Sequence, residues 1–374
     1  MMPAGVTWFG RLTGVNRRPG VHLVPSAERA EEVEALVSLV GGRVGVGGVL
    51  ADLNRRAQRV RVPAPAAVWG FRWDHADARS RRWWPQGIAT SPDAGEPAGL
   101  DGRSVLVTSA YAQVVDGVHR GARVSFVDLT DRAAIRYRHV LLVEPFFDAD
   151  GAIDLRTVRV HAGGLAWHGE YLHVAATARG FSSFRLRDLV AVPRHESARL
   201  GIRGERVDAF GYRYLLPVRF TYDAHASKGI ERMRYSFASV DRSATPHALV
   251  AGEYGRGEMT RRLVRYDFDP GTSLLRADDD GAARPVVLAD GGVARMQGVT
   301  VVDGTWFVTT SRGRFLLGSV WVGEPGRLRE HRRQLPIGPE DIAYWPERDQ
   351  LWSLTEYPGA RYVFGMSRER FLRG

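Results

Sequence analysis

The chain has 374 residues, a formal charge of +10 and no cysteine, which excludes disulfides, thiolate catalysis and Cys-ligated metals. Its apolar and charged fractions, 44% and 25%, are those of a soluble globular protein, and no apolar stretch approaches the roughly 20 residues of a membrane span. The positive charge would suit an anionic macromolecule, but Lys228 is the only lysine among 52 basic residues, a bias that a GC-rich genome produces unaided; with no basic helix, zinc finger or single-strand signature beside it, nucleic acid is not the expected partner.

In chain order, the segment from Met1 to Arg11 lacks the basic region and apolar run of a secretory signal, so a cytoplasmic location is expected. Pro25-Ser26 opens a helix expected over about 26–40. Ser26 is its N-cap, Glu31 and Glu32 lie near its start, Val33, Leu36, Val37 and Val40 fall at helical spacing, and Gly41-Gly42 stops it. The run Val44-Gly-Val-Gly-Gly-Val49 is glycine-rich enough to move, and it has neither the spacing nor the βαβ setting of a dinucleotide fingerprint. Residues 1–65 therefore read as an N-terminal extension whose helix covers one face of the remainder, or serves as a lid or an oligomer contact.

From residue 66 onward a short phrase recurs: Gln86-Gly-Ile-Ala89, Gly163-Gly-Leu-Ala166, Tyr235-Ser-Phe-Ala238, Gln297-Gly-Val-Thr300 and Glu340-Asp-Ile-Ala343. Each phrase opens a strand. A second strand follows at Val105, Leu172, Ala248, Trp306 and Gln350, and a third at Arg123, Phe181, Arg262, Gly318 and Arg361, in runs of β-branched and aromatic residues bounded by turn residues. Fourth strands follow at 140–147, 214–222, 284–288 and 332–337, but after Met366 the chain ends without one. Residues 66–74 have the matching texture. The expectation is an all-β, five-bladed β-propeller of four-stranded blades over 66–374, closed by that N-terminal strand so that no sheet edge is left exposed.

First strands line a propeller's channel, so the column Gln86, Gly163, Tyr235, Gln297, Glu340 is the candidate site, with ordered water bonded to the same groups as the plain alternative. Glu340 is singled out as a carboxyl whose pKa the channel could raise, and His161 as its partner in proton transfer. Gln86, Gln297, Tyr235 and Trp84 would orient a substrate, while Arg256, Arg295 and Arg312 would hold an anionic group. Glu253-Tyr254 and Glu356-Tyr357 end the second strands of two blades; the carboxylates either flank the substrate or pair with arginines. No metal motif stands out, and calcium or magnesium is the one cofactor the residues leave open, through Asp74, Asp148 and Asp223 at one blade position.

Pro85-Gln-Gly-Ile-Ala-Thr-Ser-Pro-Asp93 and Pro339-Glu-Asp-Ile-Ala-Tyr-Trp-Pro346 resemble blade phrases of the gluconolactonase and strictosidine-synthase-like propellers. By that resemblance Gln86 and Glu340, and less closely Gln297, are inherited channel residues. Those families have six blades and Asn or Asp ligands, so neither calcium nor lactonase activity follows here. The resulting expectation is a small-molecule enzyme without a redox cofactor, a hydrolase, lyase or cyclase; the alternative is a non-catalytic ligand- or protein-binding propeller.

Overall fold

The computed structural model describes residues 20–95 and 100–373, so the start of the chain, on which the cytoplasmic expectation rests, lies outside the described residues. The fold is mostly β and propeller-like. Antiparallel strands come in sets of four: Trp83–Thr90, Val105–Ala112, Ala122–Asp128 and Arg136–Phe147, then Leu165–His168, Tyr171–Ala175, Gly180–Arg185 and Tyr214–Ala226. Phe237–Asp241, Ala248–Gly252, Leu263–Asp267 and Val287–Ala289 follow, then Met296–Val302, Thr305–Thr310, Leu317–Gly323 and Arg329–Ile337. The last set, Pro339–Trp345, Gln350–Thr355 and Tyr362–Ser367, takes its outer strand from Ala67–Arg72. Two sets are fused, because Leu215–Pro217 pairs in parallel with Leu141–Val143 and makes one 12-stranded sheet of both.

The first strand of each set lies against the first strand of the next, and Pro339–Trp345 returns to Trp83–Thr90, so the inner strands form a closed ring. Each interface between sets has its own apolar core. Phe126 packs with Trp167 between the first two sets, Phe181 with Tyr235 and Tyr266 at the next, and Phe237 with Trp306 after that. Phe307 with Phe364, and Trp352 with Tyr137, complete the circuit. Side-chain hydroxyls tie neighbouring sets together: Ser109 Oγ donates to Ala162 O at 2.7 Å, Ser239 Oγ to Val299 O at 2.6 Å and Thr309 Oγ1 to Glu340 O at 2.7 Å.

At the centre of the ring the strands approach too closely for ordinary side chains. A Cβ on Gly164 would stand 2.0 Å from Ala238 N, and one on Gly298 would stand 2.6 Å from the Asp341 Cα. Asp341 holds the glycine position in its own phrase and is wholly buried. Its Oδ2 accepts the backbone N–H of Ile88 at 3.2 Å and of Leu165 at 3.3 Å, joining three inner strands at one atom.

The residues before the ring are built into it. Val21–Pro25 pairs with Tyr222–Ala226. The first helix is Ala30–Leu39 rather than a helix from residue 26, and Arg29, not Ser26, precedes it. Ser26 is held by the sheet instead: its N–H donates to Thr221 O at 2.8 Å, and the Thr221 N–H donates to its Oγ at 3.0 Å. The glycine run is not a free loop either, but the helix Gly45–Ala51. Glycines disfavour a helix by about 1 kcal/mol each. Burial of Val46, Val49 and Leu50 against Val124 and Phe126 offsets this, at about 1.5–3 kcal/mol per side chain. Among the described residues no helix is long and apolar enough to cross a membrane.

Burial lifts the Asp341 carboxyl well above its usual range, against the pull of the backbone N–H groups that bond to it. A raised carboxyl pKa means that the native state holds a proton which the unfolded chain releases near pH 4, so stability falls as pH rises above that value. Asp341→Asn removes the titration while keeping an acceptor. Relative to this variant, the wild-type protein should lose about 1.4 kcal/mol per pH unit between pH 4 and the raised native pKa and no more beyond it, read as a fall of the wild-type Tm relative to that of the variant; a difference that does not change with pH would contradict it.

Candidate functional site

Above the glycine ring the inner strands part and leave a cavity of about 700 Å³. Its floor is made by the opening phrases. In three of them the ladder slips, between Pro85 and Ile88, Met296 and Gly298, and Pro339 and Ile342. A bulge of this kind re-aims a side chain, and here Gln86, Gln297 and Glu340 all face the cavity. The third phrase has no such slip. Tyr235 pairs with Thr177 in an extended bridge, so alternation turns its ring into the apolar interface and gives the cavity Ser236 instead. Tyr235 is therefore not a substrate contact. It is fully buried, its hydroxyl 2.5 Å from that of Tyr266.

Two carboxyl groups meet on the floor. Glu340 is 3% exposed and receives the Gln297 amide at 3.1 Å. Glu356, at the end of Gln350–Thr355, receives the Gln86 amide at 3.4 Å. Burial first, then the neighbouring Glu356 and Asp341 charges, hold the Glu340 pKa well above the usual range. Burial also raises Glu356, but Tyr357 and Gln86 donate to it and Arg314 and Arg361 lie near, which favours its ionised form. Burial and mutual charge thus disfavour ionising both, and Glu340, held the higher of the two, keeps a proton more readily than Glu356. Neither carboxyl has an arginine ion pair within 4.0 Å among the described residues, so for Glu356 the alternative of pairing with an arginine is not realised.

His161 lies at the mouth, its ring 4.5 Å from that of Tyr111. The surrounding protein lowers its pKa, which favours the neutral imidazole. The backbone that presents it is left-handed at Ala162, as it is at Thr177 and Arg295 on other parts of the rim, a conformation costing non-glycine residues about 1–3 kcal/mol. Tyr254, Arg256, Arg295, Arg234, Met259 and Tyr357 complete the wall. Arg234, Ser236 and Met259 carried no signal in the sequence beyond adjacency to the phrases.

Three expected contacts stand elsewhere. Glu253 is inaccessible and held by Arg262, whose Nε reaches Oε2 at 3.0 Å and whose Nη2 reaches Oε1 at 2.8 Å. It is structural, while its counterpart Glu356 is left to the cavity. Trp84 does not line the cavity; its indole N–H donates to Arg81 O at 3.1 Å and its ring meets Tyr357 edge-on at 6.0 Å. Arg312 is exposed and outside the lining, to which its neighbours Ser311 and Gly313 contribute. Of the three aspartates considered for a cation, Asp74 caps the helix His75–Arg79 and pairs with Arg55, and Asp148 closes its own turn. Among the described residues no group of three or more His, Asp or Glu could hold a metal ion.

No protein-family model and no curated protein matches the chain. Solved structures similar to it include a gluconolactonase from Xanthomonas campestris, at 12% identity over 85% of this chain and 86% of that one with a TM-score of 0.32. Others are the Cps50 (Swd1) β-propeller domain of Myceliophteria thermophila, at 10% identity, 83% and 99% coverage and a TM-score of 0.38, and a GH43_1 enzyme of Xanthomonas citri complexed with xylotriose, at 10%, 90% and 93%, and 0.35. Likenesses this distant assign no activity and no residue; the chemistry rests on the cavity itself.

Two outcomes follow. Glu253→Ala should destabilise the fold by about 3–5 kcal/mol in chemical denaturation, because it leaves Arg262 buried and unpaired. Difference infrared spectra at pH 7 should show a carboxylic-acid carbonyl band that Glu340→Gln removes; identical bands in wild type and variant would place the proton elsewhere.

Proposed function

We propose that the chain is a small-molecule enzyme using acid–base chemistry without a redox cofactor, a hydrolase or a related lyase or cyclase, acting in the cavity over the ring. The observation that carries this reading is the Glu340–Glu356 pair, two neighbouring carboxyls lining one open cavity, both with raised pKa values and Glu340 the more strongly shifted, which suits Glu340 as the acid and Glu356 as the base. In a hydrolysis, Glu356 takes a proton from water as the water oxygen attacks, and Glu340 gives its proton to the leaving group. The proton gained by Glu356 passes to Glu340 once products depart. Gln86 and Gln297 fix the two carboxyls, neutral His161 is a further proton acceptor, and Arg234, Arg256 and Arg295 suit a substrate with an anionic group.

The same reading takes the strand sets as five four-stranded blades over 66–374, with residues 1–65 as the extension. It is supported by the pairing of Ala67–Arg72 with Tyr362–Ser367. A second reading, a binding propeller, draws on Phe315 and Leu316, 89% and 49% exposed, one and two residues beyond the Arg314 that stacks over Tyr357 at 5.2 Å.

The test is turnover of a panel of lactones, glycosides and phosphodiesters. Glu340→Gln and Glu356→Gln should each lower kcat/KM at least about 100-fold with Tm preserved. Full activity in Glu340→Gln would refute the enzyme reading of this site.

A further inference from the structure

A second cavity, of about 460 Å³, opens away from the ring mouth, between the first strand set and the excursion that runs from residue 186 to 213. Its lining is dominated by one chemistry. Arg55, Arg120, Arg123, Arg138, Arg194 and Arg213 contribute, against the carboxylates of Asp77 and Glu196. These come from five separate stretches of chain, so the convergence is a product of the fold and not of a local basic run.

Of the two lining carboxylates, Asp77 is fully engaged, while Glu196 is exposed and lies more than 4.0 Å from any arginine nitrogen among the described residues. Asp77 receives Arg123 at 2.9 Å, Arg55 at 3.4 Å, His139 Nε2 at 2.8 Å and the Tyr137 hydroxyl at 2.8 Å. Arg55 also holds Asp74 at 2.7 Å, and Arg138 meets Asp52 at 3.3 Å. Among the described residues Arg120, Arg194 and Arg213 have no carboxylate within 4.0 Å. Arg123 is 7% exposed and its Nε, like that of Arg120, is buried without a hydrogen-bond partner. Buried donors without acceptors cost about 1–3 kcal/mol each, more on a charged group, and an acceptor supplied from outside removes that cost.

The aromatic surroundings orient the guanidinium groups. Arg120 lies over Phe210 at 5.1 Å and Arg123 over Trp83 at 4.5 Å, while Arg123 Nη1 also reaches the Tyr212 hydroxyl at 3.2 Å. Arg123 spends its edge on Tyr212 and Asp77, whereas the stacked Arg120 keeps its N–H edge without a carboxylate, and such an edge matches the oxygens of a phosphate group. Burial, and after it the charges of Arg194 and Arg213 acting against Asp52, depresses the pKa of Arg138, so the cluster is under mutual repulsion that an anion would relieve.

We propose that this cavity is a binding site for a small phosphorylated molecule carrying at least two negative charges, held by Arg120, Arg194 and Arg213 and separate from the cavity over the ring. Its volume suits a compound of nucleotide size or smaller.

The experiment is calorimetric titration of the full chain with pyrophosphate and with ATP at 0.15 M salt, with citrate as a polycarboxylate comparison. Saturable one-to-one binding of pyrophosphate is expected. Arg120→Ala and Arg213→Ala should each weaken it about tenfold or more, and the exposed Arg194→Ala, which removes no buried contact, keeps the test meaningful if either of the others fails to fold. Arg295→Ala should leave binding intact. Three results would overturn the proposal: no saturable binding of either phosphate compound at millimolar concentration, equally tight binding of citrate, or binding lost in Arg295→Ala but kept in Arg194→Ala.

Discussion

The inner strands meet so closely that a single methyl group has no place between them. Gly87, Gly164 and Gly298 are the answer to that constraint: a Cβ on any of them would fall within 2.9 Å of the neighbouring strand's backbone. Everything outward follows from it. With the strands pinned at the centre, the space between sets is filled by large buried side chains such as Phe126, Tyr266 and Trp352. The one phrase that carries a charged residue type at the glycine position, Asp341, turns the crowding to use by capping backbone N–H groups of two other sets.

The same geometry sets the chemistry one residue away. Bulges lift Gln86, Gln297 and Glu340 out of the packed plane and into a cavity roofed by nothing but loops. Glu340 is then too buried to ionise easily, and its nearness to Glu356 disfavours charge on both. The amides of Gln297 and Gln86 fix each carboxyl without neutralising it, as an arginine would. Arg361 lies near but makes no ion pair with either carboxyl: its Nε and Nη1 donate to the carbonyl oxygens of Glu356 and Asp77, and its Nη2 is buried without a partner. Burial lowers its pKa to about 10, which leaves it a fixed cation near the pair at neutral pH.

Much of the fold was legible in the sequence because strands declare themselves by β-branched runs between turn residues. The repeated phrase located the cavity floor at Gln86, Gln297 and Glu340 for the same reason. What was not legible depends on backbone slips and distant partners. Tyr235 aligns with Gln86 and Gln297, but its phrase lacks the bulge, so the residue that reaches the cavity is Ser236. Glu253 and Glu356 sit in look-alike motifs, yet only Glu253 has an arginine that closes on it from the next strand. Ser26 carries the chemistry of an N-cap, and a strand partner at Thr221 claims it first. The arginine cavity has no periodic signature, since Arg120 and Arg213 are brought together by an excursion whose path the repeat does not encode.

Asp341 also decides how molecules can travel. The cavity lined by Glu340 and Glu356 shares no residue with the hollow on the far side, around Asp93, Arg242 and Glu347, and between them stand a buried carboxyl and backbone in contact. The passage through the ring is thus a well with a floor rather than a tunnel. Whatever enters must leave by the mouth it came through, past His161 and Arg295, so one occupant of the well bars the entry of a second.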